Sequence, residues 1–180
     1  ETDNGIYEAM NKGVIVASGE WISFLNAGDF YYPDTLIEVV HMVEVESDAK
    51  IIVGANALVN SAHNIVHIHY PKRGRFIAHP STFTRADLFL KYGLFRTDYK
   101  IFADQLFYGR LWDVEKIVTT DKVLSAMDDG GISTRINKAY MDELFKLYRA
   151  LGNGFLRSFI HSYAKLMIKK VINDTFGNQV

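Results

Sequence analysis

The sequence predicts a mixed α/β fold, and three observations indicate this class. Compact runs of strand-forming residues at 21–25, 51–59 and 114–124 are separated by segments with helical periodicity. The runs 51–59 and 65–70 flank a short polar turn, which predicts one β-hairpin within the sheet. The chain has 180 residues, of which 48% are hydrophobic, and this is enough for one sizeable core.

Composition excludes several classes of function. The formal net charge is -1, with 20 Lys plus Arg against 21 Asp plus Glu, so nucleic-acid binding has no electrostatic support. The chain has no cysteine, which excludes disulfides, thiol nucleophiles and cysteine-based zinc sites. Any metal must be bound by oxygen or imidazole ligands. No segment approaches the ~20 apolar residues that cross a bilayer, and we expect a cytoplasmic protein.

Helices are predicted from the spacing of apolar residues and from capping signals. In the first helix, which follows an Asp-Asn-Gly turn, the apolar face consists of Ile6, Met10, Val14 and Ala17. Further helices are predicted after Pro33, over 86–92, over 103–112, from Asn137 to residue 151 and over 155–172. The last of these is basic and amphipathic, which predicts peripheral contact with an anionic membrane surface. Packing on the domain or on a second copy is the alternative.

The strongest signal of a functional site is the abrupt end of the strand 21–25 at Asn26-Ala27-Gly28-Asp29. Ligands of open α/β sheets bind beyond the carboxyl ends of strands, where an acidic residue can hold a hard cation on a diphosphate. An ordinary Asx turn is the other interpretation of these four residues. A second candidate acid, Asp104, opens a predicted helix, and taken alone it also fits an acid at a helix dipole.

Three stretches, 3–13, 17–22 and 25–29, closely resemble the middle of bacterial family 2 glycosyltransferases. The resemblance implies a GT-A type fold, in which a nucleotide-binding mixed α/β sheet joins a small acceptor-binding part. It also implies that residues 1–135 form a partial domain without its N-terminal nucleotide-binding strands, followed by a C-terminal helical extension over 136–180. Because exposed strand edges invite pairing, we expect a homo-oligomer.

The resemblance assigns a metal-binding role to Asp29, as the last acid of an Asp-x-Asp type motif. The ion would be Mg²⁺ or Mn²⁺ on the diphosphate of the donor. Asn26 and Gly28 stand where many relatives carry carboxylates. The ion would therefore be bound mainly by the diphosphate, by waters and by Asp29.

The resemblance also makes Asp104 the candidate general base, because it occupies the second position of a Glu-Asp or Ala-Asp pair that follows a His and a Gly-x-Phe. Here Ala103 replaces the first acid. The residues expected to contact the donor are Asn11, Lys12, Asn26 and His79. The segment 128–133 resembles a mobile loop near the donor in this family, and a plain surface loop is the alternative.

These expectations combine into one predicted function. An inverting transfer needs one carboxylate for the proton of the acceptor hydroxyl and a metal for the leaving diphosphate, which Asp104 and Asp29 would supply. The donor would be a nucleotide-diphospho-sugar, and the acceptor a glycan or lipid-linked glycan at the inner face of a bacterial membrane. Two alternatives remain: a non-catalytic fragment or assembly module of such an enzyme, and a metal-dependent hydrolase of nucleotide sugars.

Overall fold

The structure, a computed structural model, describes residues 2–73, 77–131, 137–158, 160 and 163. The chain divides into two units, residues 1–131 and residues 132–180. The first unit contains a six-stranded mixed sheet, which confirms the predicted α/β class. The domain boundary that the sequence predicts at residue 135 stays a prediction.

The strands of the first unit are β1 (Trp21–Ile22), β2 (Phe30–Tyr31), β3 (Ile51–Val59), β4 (Ile65–His69), β5 (Thr82–Arg85) and β6 (Ile117–Asp128). Its helices are α1 (Ile6–Val16), α2 (Thr35–Val45), α3 (Ala86–Tyr92) and α4 (Ala103–Leu111), with one 3₁₀ turn at His79–Ser81. The strand order is β1-β5-β3-β6-β2, and β4 pairs with β3 outside this path. The predicted hairpin is therefore β3 and β4, and the predicted strand over 21–25 forms ladder bonds only at its first two residues.

Strand β3 lies at the centre of the sheet. Along one edge it pairs in parallel with β6, and along the other it pairs antiparallel first with β5 and then with β4. Its residues are almost completely buried, and most of them are aliphatic, as is typical of a strand covered on both faces. The polar exception is Asn56, whose side-chain nitrogen donates to the carbonyl and the hydroxyl oxygen of Ser125. Gly54 is required there, because a Cβ at this position would lie 2.3 Å from side-chain atoms of Leu124 on β6.

Two hydrophobic groups hold helices against the sheet. Val39 and Met42 of α2 pack with Ile52, Phe83 and Leu124. An aromatic cluster joins α3 and α4: it consists of Phe24, Phe89, Phe95 and Phe107, with ring centroids 4.9 to 6.2 Å apart in the contacting pairs. Edge-to-face and stacked pairs of this kind add about 0.5–1.5 kcal/mol beyond area burial. This cluster fixes α4, whose first turn carries Asp104.

The buried face of α1 differs from the predicted one. The helix buries Tyr7, Met10 and Asn11, whereas Ile6 is 39% exposed and Ala17 is also exposed. The apolar spacing misidentified the face because two polar side chains find partners inside the unit. The Tyr7 ring packs 5.8 Å from Phe95, and the amide of Asn11 bonds to the backbone of Phe95.

The second unit contains α5 (Lys138–Ala150), which Asn137 caps as the sequence predicts, with its side-chain oxygen accepting from the Tyr140 amide. Helical residues follow at 155–158, 160 and 163. The rest of the helix predicted over 155–172 lies outside the described residues, and its membrane contact stays a prediction. None of the described helices combines the length and the apolar content needed to cross a membrane.

Candidate active site

Asp29 lies in the turn that joins β1 to β2. The turn is closed by a 3.0 Å hydrogen bond from the Asp29 amide to the carbonyl of Asn26, and Gly28 adopts φ 93°, a conformation that favours glycine. Strand β2 then pairs antiparallel with β6, with Phe30 opposite Ala126. This register brings Asp29 next to Asp128 at the end of β6.

The environment of Asp29 disfavours an isolated negative charge. Partial burial raises the pKa of its carboxyl group, and the neighbouring Asp128 carboxylate adds to the rise. The charge of His79 and hydrogen bonds from the backbone N–H groups of Asn26 and Asp128 act in the opposite direction. Desolvation is the largest of these effects.

The residues at this corner fit a hard divalent cation. Asp29 and Asp128 offer carboxylate oxygens, and Mg²⁺ is commonly bound by one or two carboxylates together with substrate phosphates and waters. Within the described ranges, no group of three or more His, Asp or Glu side chains is arranged to hold a metal. The remaining ligands would thus come from a diphosphate and from water, as the sequence analysis expects for Asp29.

A row of hydrogen bonds leads from this turn into the interior. The Asn26 side-chain nitrogen lies 2.7 Å from Nε2 of His79, and Nδ1 of His79 lies 3.2 Å from Oδ2 of Asp104. The Tyr7 hydroxyl lies 2.9 Å from Oδ1 of Asp104 and 2.6 Å from the carbonyl of Ile101. The structure thus brings together three predicted site residues, Asn26, His79 and Asp104, that are far apart in the chain.

Asp104 is almost completely buried, with its side chain 6% exposed, whereas the His79 side chain is 16% exposed. Besides Tyr7 and His79, the Asp104 carboxylate meets the backbone N–H of Gln105 at 2.8 Å and the Gln105 side-chain nitrogen at 3.3 Å. Buried carboxylates need such donors, because an unpaired buried charge is strongly destabilising. The imidazole is therefore the more accessible end of the His79–Asp104 pair.

Gln105 aligns the segment before His79 with the first turn of α4. Its side-chain nitrogen donates to the carbonyl of Ile77 at 2.5 Å, and its side-chain oxygen accepts from the Ile77 amide at 2.9 Å. Two hydrogen bonds to one backbone unit fix both distance and orientation. Gln105 thus positions the His79 segment against Asp104.

Two other predicted donor contacts have different surroundings in the structure. The Asn11 side chain bonds to both the amide and the carbonyl of Phe95, at 2.9 and 2.8 Å, and so ties α1 to the segment before α4. Lys12 forms ion pairs with Asp3 and Glu8 at the start of the chain. Donor contact by Asn11 and Lys12 stays a prediction.

No sequence motif identifies Tyr7, Gln105 or the placement of Asp128 beside Asp29. Each depends on a contact between segments distant in sequence, such as the 97 residues between Tyr7 and Asp104. One available signal was the chemistry of Tyr7, because a tyrosine near the start of a buried helix face needs a partner for its hydroxyl.

Comparisons with known proteins bear on the family of the chain. No protein-family model matches the chain. It is 30% identical over 186 residues to a PGL/p-HBAD biosynthesis glycosyltransferase of Mycobacterium bovis (strain BCG / Pasteur 1173P2), covering 97% of this chain and 71% of the relative. An uncharacterized glycosyltransferase of Mycobacterium tuberculosis (strain ATCC 25618 / H37Rv) is 31% identical over 143 residues, covering 74% of this chain and 54% of the relative.

The fold is similar to that of S. aureus TarS, whose residues 1–349 were crystallised in complex with UDP-GlcNAc. The TM-score is 0.61 at 12% identity, with 96% of this chain covered. The chain spans 56% of the length of that TarS chain, and the likeness shows the fold alone. The family follows from the mycobacterial relative, which is 30% identical and of which the chain covers 71%. The chain therefore belongs to the glycosyltransferase family that contains this relative.

Proposed function

We propose that this protein transfers a sugar, with inversion at the anomeric carbon, from a nucleoside-diphosphate sugar to a hydroxyl of a glycan or a lipid-linked glycan. Family membership supports glycosyl transfer in general. That TarS was crystallised with UDP-GlcNAc supports a nucleotide sugar as the donor.

The observation that carries the proposal is the hydrogen bond between Asn26 and His79. It links the turn of Asp29, which is suited to a cation on a diphosphate, to the buried Asp104. An inverting displacement needs these two functions close together, one on the side of the leaving group and one on the side of the acceptor hydroxyl. The Asp29–Asp128 corner and the His79–Asp104 pair would supply them.

Each part has a defined task in this mechanism. Asp29 and Asp128 would bind a divalent cation, which when present stabilises the negative charge on the leaving diphosphate. The His79–Asp104 pair would take the proton from the acceptor hydroxyl as its oxygen attacks the anomeric carbon. Tyr7 and Gln105 hold Asp104 in place through the hydrogen bonds described above.

The test is a donor and acceptor screen with the full chain. The purified protein is incubated with UDP-, GDP- and dTDP-sugars, with p-nitrophenyl glycosides as acceptors, and with Mg²⁺ or Mn²⁺. Release of nucleoside diphosphate and the mass of the product are measured. We expect acceptor-dependent, metal-dependent transfer, whereas nucleoside diphosphate release that is unaffected by any acceptor would indicate a hydrolase instead.

Matched variants test the metal assignment. Asp29→Asn should abolish metal-dependent turnover, because it removes the charged oxygen ligand. Asp121→Asn is the control, since Asp121 is exposed on β6 outside the site, and it should retain wild-type turnover. If Asp29→Asn keeps both the wild-type rate and the metal dependence, Asp29 is not a ligand of the metal.

A further inference from the structure

The surroundings of Asp104 leave its carboxylate little capacity to accept another hydrogen bond. An ionised carboxylate has about four acceptor positions. Oδ1 faces the Tyr7 hydroxyl at 2.9 Å and the Gln105 amide at 2.8 Å. Oδ2 faces Nδ1 of His79 at 3.2 Å and the Gln105 side-chain nitrogen at 3.3 Å. The single proton of the Tyr7 hydroxyl also faces the Ile101 carbonyl, at 2.6 Å, so three N–H groups and this shared O–H surround the carboxylate. With a side chain that is only 6% exposed, Asp104 leaves an acceptor hydroxyl little room to approach.

The same contacts define the tautomer of His79. A carboxylate only accepts hydrogen bonds, so Nδ1 of His79 must carry the proton that faces Asp104. In the neutral ring Nε2 then has a free lone pair, and the side-chain NH₂ of Asn26 donates to it at 2.7 Å. With Nδ1–H facing Asp104, His79 thus directs Nε2 toward Asn26 in the turn of Asp29.

We infer that Nε2 of His79 takes the proton of the acceptor hydroxyl, and that Asp104 and Tyr7 are positioning residues that act through His79. This inference rests on the proposed glycosyl transfer and assigns the base within it. In the structure the side-chain amide of Asn26 is hydrogen-bonded to Nε2, and the acceptor hydroxyl would replace it as the partner of this nitrogen. A hydroxyl at about 2.6–3.2 Å from Nε2 meets the distance required of a general base.

The step balances as a single displacement. The acceptor oxygen forms a bond to the anomeric carbon, and the bond from that carbon to the diphosphate oxygen breaks, with its electron pair leaving on the diphosphate. The proton of the hydroxyl moves to Nε2, which gives an imidazolium ion. Its positive charge is stabilised by the buried Asp104 carboxylate, and the proton later returns to solvent.

The first test reads the tautomer without any substrate. The full chain is labelled with ¹⁵N-histidine, and its six histidines are resolved by long-range ¹H–¹⁵N NMR, with His79→Gln identifying the resonances of His79. We expect the Nδ1–H tautomer in the wild type and loss of this preference in Asp104→Asn. An Nε2–H tautomer in the wild type would overturn the inference while leaving the proposed transferase function intact.

The second test is chemical rescue, with the donor and acceptor that the screen above identifies. His79→Gly should lose about 10²–10⁴-fold in kcat and regain activity as imidazole is added, but not with formate. Because the His79 side chain is 16% exposed, imidazole can reach the space that the missing ring leaves in His79→Gly. Rescue of Asp104→Gly by formate to wild-type activity, with His79→Gln still active, would show that the carboxylate is the base and overturn the inference.

A double variant covers the case in which a glycine variant fails to fold. If the two residues act as a unit, His79→Gln combined with Asp104→Asn should be no slower than His79→Gln alone. KM for the donor should stay within about 2-fold of the wild-type value in His79→Gln and in Asp104→Asn, because neither substitution is expected to weaken binding of the donor in its ground state. Multiplicative losses in kcat would contradict the inference. A wild type that transfers no sugar from any donor would overturn the proposed function, and this assignment with it.

Discussion

Removal of the Tyr7 hydroxyl measures how much its hydrogen bonds in the buried part of the site stabilise the protein. Tyr7 and Asp104 are 5% and 4% exposed, so Tyr7→Phe removes the one hydroxyl proton that the Asp104 carboxylate and the Ile101 carbonyl share. Hydrogen bonds to charged groups contribute about 1.5–3 kcal/mol. The ring is retained, and with it the packing on Phe95. The loss in free energy of unfolding therefore reports on the hydroxyl alone.

Thermal unfolding followed by circular dichroism measures this loss. At about 2–4 °C per kcal/mol for a chain of this size, the expected decrease in Tm is about 3–12 °C. Tyr70→Phe is the matched control, because Tyr70 is 51% exposed, and surface substitutions stay within about 0.5 kcal/mol. If the two variants unfold at the same temperature, the Tyr7 hydroxyl stabilises neither Asp104 nor the Ile101 carbonyl, and the reasoning is refuted.

Three further predictions concern stability in the first unit. Because burial raises the pKa of Asp29, its ionised carboxylate destabilises the folded state at neutral pH. Below about pH 4 the carboxyl group is protonated in both the folded and the unfolded state, and this effect disappears. Asp29→Asn should therefore raise Tm near neutral pH and should give no such increase in acid. Gly54→Ala should destabilise by about 1–3 kcal/mol in urea unfolding, because its Cβ would overlap Leu124. Gly13→Ala, with open space around its Cβ, should instead stabilise α1 by about 0.5–1 kcal/mol.

Much of the fold was predictable because its signals are local. Strand β3 is a mostly aliphatic, buried segment, and α3 ends at Gly93, which has φ 83°. The order of strands and the buried face of α1 were not predictable in this way. Both depend on contacts between distant segments, and the contact of Asn11 with Phe95 stabilises a face that apolar spacing does not mark.

The candidate site shows the same division. Asp29, His79 and Asp104 were identified from short motifs, and their roles stay predictions, but the motifs contain no information on which of them touch. That the Asp104 carboxylate is surrounded by donors became visible only with the packing of α1 and Gln105 against it. The position of Asp128 depends on the register of β2 with β6, which no local pattern specifies.

The turn of Asp29 and the His79–Asp104 pair are held by elements that differ in rigidity. Asp29 precedes a strand of only two residues, β2, which pairs with β6 alone. Asp104 begins a helix anchored in the aromatic cluster, and Gln105 clamps the His79 segment onto it. Segments with few backbone bonds open at lower free energy than packed elements. Adjustment to leaving groups of different size would therefore fall on the turn of Asp29, while His79 and Asp104 keep their spacing.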